Sequence, residues 1–109
     1  TPITADARQN APAPRSADEP GDSLARESAL LARAQRELAA GSPERALSTL
    51  SEHAQRYPKG ALSPERDAAR VIALCASGSS EQARPLAERF LREHPESPLA
   101  PRVREACAH

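Results

Sequence analysis

The sequence predicts an all-α fold of two antiparallel helix–turn–helix units followed by a C-terminal capping helix. Three observations carry this expectation. The apolar residues are eleven Leu and many Ala, with one Tyr, one Phe and no Trp. Ala and Leu are strong helix formers, and few β-branched residues remain to build a sheet. Helix start and stop signals recur along the chain, and the helical part matches itself when shifted by 37 residues.

Residues 1–21 read as a Pro/Ala-rich disordered linker. Pro2, Pro12, Pro14 and Pro20 remove backbone donors, and Ile3 is the sole large apolar side chain. Such a stretch cannot bury enough surface to offset its ordering entropy. The chain contains no Met, which predicts a processed product or a fragment, with a membrane anchor or another domain as candidates upstream of Thr1. No apolar run approaches the ~20 residues that span a bilayer, so this segment is not expected to insert in a membrane.

Residues 22–109 form the expected helical domain. Asp22 or Ser23 caps a helix to about Ala40, with Leu24, Leu31 and Leu38 seven apart, and Gly41 stops it. Ser42-Pro43-Glu44 restarts the chain with Ser as N-cap, Pro at the first position and an acid in the first turn. That helix carries Ala46, Leu47, Leu50, Ala54 and Tyr57 to Pro58. Ser63-Pro64-Glu65 repeats the signal for a third helix, with Ala68, Val71, Ile72 and Cys75 ahead of Gly78. Ser79-Ser80-Glu81-Gln82 fits a capping box for a fourth, whose stripe is Ala83, Leu86, Ala87, Phe90 and Leu91. Pro85 falls about six residues into it, so the helix either starts later or kinks. Pro95 ends it, and Ser97-Pro98 opens a short last helix toward Cys107.

The 37-residue shift places Gly41 on Gly78, Ala46 on Ala83, Arg33 on Arg70, Leu38 on Cys75, Pro58 on Pro95 and Leu62 on Leu99. Glycines match where a helix must turn back, and alanines where helices must approach closely. Prolines match where a helix must end. Stacked helix pairs leave a concave surface lined by the first helix of each unit. Here that surface would use Leu31, Gln35 and Leu38, then Ala68, Ile72 and Cys75, with Arg33 and Arg70 at its flanks.

The segments 39–47 and 57–62 resemble the turn and exit of tetratricopeptide repeats. The run Phe90-Leu91-Arg92-Glu93-His94-Pro95-Glu96-Ser97-Pro98-Leu99-Ala100 is similar to the Tyr-Pro-x-Ser-Pro-x-Ala junction of bacterial envelope repeat domains. Those domains occur in Tol–Pal-associated periplasmic proteins and outer-membrane-assembly lipoproteins. The resemblance covers residues 24–108. It departs from the family at Leu30 and Asp67, where large aromatics are usual, and at His94, where Tyr is usual. It implies a periplasmic or other extracytoplasmic location and a protein or peptide partner bound along Leu31, Arg33, Gln35, Arg70 and Ile72.

Catalysis finds no support. His53, His94 and His109 share no metal-binding spacing, and no Gly-x-Ser-x-Gly elbow or phosphate loop appears. No cofactor is implied. Glu27, Glu37, Glu65, Glu81 and Glu88 alternate with arginines as on a solvated, ion-paired surface. Fifteen basic residues balance fifteen acidic ones, which argues against nucleic acid as a partner.

In a protein of envelope type, Cys75 and Cys107 read first as a structural disulfide, with buried free thiols as a second reading and metal or redox chemistry, which no Cys-x-x-Cys supports, as a third. Their helices should be neighbours running the same way. Under the 37-residue shift, however, Cys107 aligns with Arg70 rather than Cys75, a gap of about five residues along the axis. Two functions stand beside each other. One is a non-catalytic protein–protein interaction module or scaffold of the bacterial cell envelope. The other is the extracytoplasmic interaction or sensing tail of a membrane-tethered regulator.

Overall fold

A computed structural model describes residues 20–107. Its helices are α1 (Pro20–Ala39), α2 (Pro43–Arg56), α3 (Ser63–Ala76), α4 (Ser80–Glu93) and α5 (Ala100–Glu105), with no strand among the described residues. The fold is the expected one: two helical hairpins and a short final helix. The expectation for residues 1–19 lies outside the described residues. Helix α1 begins at Pro20, two or three residues ahead of the expected cap, because Pro is well tolerated in a first helical turn.

The repeat is visible in the helix boundaries themselves. Helix α4 begins and ends 37 residues after α2, α3 ends 37 after α1, and α5 begins 37 after α3. Gly41 and Gly78 have φ of 81° and 84°. At each, the glycine N–H donates to the carbonyl three residues back, and the following serine N–H donates to the carbonyl five back. These paired bonds close the last turn of α1 and of α3 on a left-handed residue, which glycine alone adopts without strain. The exits match as closely. Tyr57 has φ −132° and ψ 58°, and His94 has φ −135° and ψ 57°.

The serines before the helices act differently from expectation. Neither Ser42 nor Ser79 caps its helix through the hydroxyl. Their carbonyls accept from Ala46 and Ala83 N–H at 3.1 and 3.0 Å. The Ser79 hydroxyl instead accepts a long bond from Ser77 Oγ at 3.4 Å, so the capping box does not form. Ser63 is already inside α3, with Leu62 preceding it. Pro85 lies within α4, which starts at Ser80 as its start signal indicates. The N–H that Pro85 lacks would have bonded only near the helix beginning, where acceptors are easily solvated.

Two apolar clusters form the core. Leu31, Ala34, Ala46, Leu50, Ala69 and Ala73 make the first, and Ala68, Val71, Leu74, Ala83, Phe90 and Val103 make the second. Leu47 packs against both. Leu50 is fully buried, worth about 1.5–3 kcal/mol relative to exposure. Leu24, in contrast, remains 46% exposed. Helix α1 has 20 residues and α2 has 14, so the first turns of α1 overhang their partner and the expected stripe is only partly buried.

Ala46 and Ala83 have no accessible surface. A leucine at either position should force helices apart and cost about 1–3 kcal/mol in a denaturant melt. Ala32, half-buried on α1, should tolerate the same change at lower cost. Equal midpoints for all three variants would contradict the repeat alignment.

Candidate binding groove

The first helices of the units lie side by side, and a groove follows them. Gln35 and Leu38 of α1, Glu65, Ala68, Ala69 and Ile72 of α3, and Leu99 and Arg102 line it. Spacings of three and four place the α3 residues on one helix face. Alanines make the floor, so the groove is shallow, with a volume of about 60 Å³. That is far below the ~300 Å³ where small-molecule sites begin. The rim offers one amide, one carboxylate and one guanidinium. Glu65 Oε1 is sealed from solvent yet has no hydrogen-bond partner among the described residues.

Of the residues expected to meet a partner, Gln35 and Ile72 share this groove. Leu31 does not, being buried at 6% exposure in the first core cluster. Arg33 is exposed and pairs with Glu37 at 3.4 Å. Arg70 faces a different cleft, between α3 and α4. Residues two apart on a helix lie about 200° apart, so Arg33 cannot join Gln35, nor Arg70 join Ile72. The equivalence of the two arginines in the repeat holds, but it puts both on the back of the first helices.

Cys75 and Cys107 come together, with Cα atoms 5.1 Å apart and sulfurs in bonding contact. That separation suits a disulfide. The anticipated gap is absent because neighbouring first helices are staggered. Gln35 and Leu38 share the groove with Ala68, Ala69 and Ile72, most of them fewer than 37 residues away, and the 32-residue separation of the cysteines falls short of the repeat length in the same sense.

A second feature was hidden in the sequence. Glu27, assigned above to a solvated surface, is 3% exposed. Its Oε2 accepts the Leu62 N–H at 2.8 Å and lies 3.7 Å from His53 Nε2. Gly60 is packed so close to this carboxylate that a Cβ there would overlap it. Arg66 donates to the Tyr57 carbonyl at 3.0 Å. Together these groups pin the α2–α3 connection onto α1. The signal was available: Glu27 stands four residues before Leu31, on the apolar stripe.

His53 has no accessible surface, and neither ring nitrogen has a hydrogen-bond partner among the described residues. Burial pushes its pKa below the ordinary 6.5, Arg66 pushes the same way, and Glu27 opposes them. Asp67 adds a smaller opposing effect. The folded state therefore holds His53 neutral while the unfolded chain protonates it. Stability from this group is complete above about pH 6.5 and declines as pH falls below it, by at most about 1.4 kcal/mol per pH unit. Urea midpoints at pH 7.5 and 5.5 should differ in this direction, and His53→Leu should narrow the difference. An unchanged or higher midpoint at pH 5.5 would contradict the assignment.

Paired antiparallel helices at fixed spacing, with staggered first helices and a shallow groove along them, define a tetratricopeptide-like repeat module. Among the described residues, no helix is long and apolar enough to cross a membrane. The YfiO family model, described as outer membrane lipoprotein, matches residues 24–104. The match spans most of the chain, and the protein belongs to this family. No individual curated protein and no solved structure matches it significantly.

Proposed function

We propose that the domain is a non-catalytic scaffold of the bacterial cell envelope, on its extracytoplasmic side, that holds a partner protein in the groove along α1, α3 and α5. The observation that carries this reading is the groove lining, in which Gln35 and Leu38 of α1, Ile72 of α3 and Arg102 of α5 come together. Their side chains offer an amide, a guanidinium and two apolar contacts side by side, which suits a protein segment better than a small molecule. Alanines at the floor let a partner backbone approach closely, while Ile72 and Leu38 offer apolar contact and Gln35 a hydrogen bond. An extended or helical protein segment fits these features. The family description supports the location, and the cysteine geometry suits an oxidising compartment.

Photo-crosslinking in the native envelope tests the groove. A benzophenone residue replacing Gln35 or Ile72 should give a discrete adduct, and one replacing Arg56, exposed at the end of α2, should give none. Ile72→Asp should suppress the Gln35 adduct while leaving the melting temperature nearly unchanged. Equal labelling from Arg56, or no adduct from either groove position, would refute the reading.

A further inference from the structure

The cleft between α3 and α4 lies on the opposite side of α3 from the groove. It is lined by Arg66, Asp67, Arg70, Leu86, Arg89, Phe90 and Glu93 and has a volume of about 190 Å³. Two of its arginines are accounted for locally. The Arg66 side chain is 10% exposed and is held by Asp67 Oδ1 at 3.2 Å and by the Tyr57 carbonyl. Arg89 pairs with Glu93 at 3.2 Å. Arg70, half-buried between them, has no ion-pair or side-chain hydrogen-bond partner among the described residues. The lining therefore carries three guanidinium groups against two carboxylates.

Comparison of the two units shows that the fold does not require this arrangement. The positions equivalent to Arg66 and Arg89 in the first unit are Ala29 and Glu52. Arg33, the equivalent of Arg70, has Glu37 four residues on and pairs with it, whereas Arg70 has Leu74 there. Arg66 and Arg70 are instead a like-charge pair at four-residue spacing, which weakens a helix slightly. Arg66 offsets that cost by holding the Tyr57 carbonyl, whereas Arg70 has no such partner among the described residues.

We propose that this cleft receives an acidic side chain, Asp or Glu, of a partner protein. A carboxylate placed over Arg70 would form the charge-assisted, bidentate contact that a guanidinium favours, with Arg89 close by. The aliphatic stem of the acid would rest on Leu86 and the edge of Phe90. That apolar floor selects a carboxylate on a side chain over a free inorganic anion. The volume is too small for a drug-sized ligand, for which sites begin near ~300 Å³, and matches a single side chain. This surface is separate from the groove along α1, α3 and α5, so either can fail without the other.

The test is an NMR titration of the full chain with acetyl-Leu-Glu-Leu-amide, following backbone amides and arginine Nε–H signals. Saturable shifts are expected at Arg70, Arg89 and Phe90, with Ile72 unmoved. Acetyl-Leu-Gln-Leu-amide should bind at least about tenfold more weakly, equivalent to ~1.4 kcal/mol. Arg70→Gln should weaken the Glu peptide similarly, and Arg70→Lys should fall between because it keeps charge but not the fork. Arg89→Gln, which removes only an exposed i,i+4 pair with Glu93 of small worth to folding, should also weaken it. Several results would overturn the proposal: no saturable shifts at millimolar peptide, equal binding of the Gln peptide, or indifference to both arginine substitutions. Inorganic phosphate saturating the same signals as strongly as the Glu peptide would overturn it too.

Discussion

Breaking a Cys75–Cys107 bridge should lower the unfolding free energy by about 3–4 kcal/mol. The loop it closes has a sequence separation of 32 residues, and the chain-entropy model assigns that loss to freedom regained by the unfolded chain. For a domain of this size each kcal/mol moves the melting temperature by roughly 4–8 °C, so reductant should shift the melt by well over 10 °C. Helix α5 has only six residues, too few to persist alone, and it should loosen first. The Cys75→Ser, Cys107→Ser double variant should melt like the reduced protein and ignore reductant. Two free thiols in protein taken from its native compartment would refute the bridge and weaken the extracytoplasmic assignment with it.

Glu27→Ala should be the most damaging single polar substitution, at about 2–4 kcal/mol. It removes the acceptor from the Leu62 N–H, a bond to a carboxylate being worth about 1.5–3 kcal/mol, and leaves that part-buried donor without its partner. Glu27→Gln keeps an acceptor oxygen in place and should cost less than half as much. Gly60→Ala should resemble Glu27→Ala, because the added methyl displaces the same carboxylate. If chemical denaturation shows Glu27→Ala and Glu27→Gln to be equally mild, the carboxylate does not anchor the α2–α3 connection.

The repeat was legible in the sequence because its boundary residues have jobs that few other residues can do. Gly41 and Gly78 supply positive φ, and Pro58 and Pro95 follow the last residues of α2 and α4. The cysteine register was not legible, because stagger between neighbouring helices arises from their packing and leaves no mark on a one-dimensional shift. The groove was half legible. Gln35 and Ile72 followed from their helices, but Arg33 and Arg70 were joined to them by repeat equivalence, without regard to the side of the helix each occupies. Glu27 was missed because a glutamate among arginines looks solvated until the α2–α3 connection is seen to cross over it.

Helix α3 contributes Ala69 and Ala73 to the first core cluster and Ala68, Val71 and Leu74 to the second. It is at once the wall of one hairpin and the foundation of the next, and Leu47 of α2 reaches into both. A sequence repeat is therefore not an energetic unit in this protein. Loosening either hairpin strips apolar cover from the other, so the coupling between neighbours is a large part of what each owns. The domain should lose its structure in a single cooperative step, reported at the same midpoint by probes at opposite ends. Strain applied at one end of the stack, by a docked partner for example, would then be felt at the other without any hinge between the hairpins to absorb it.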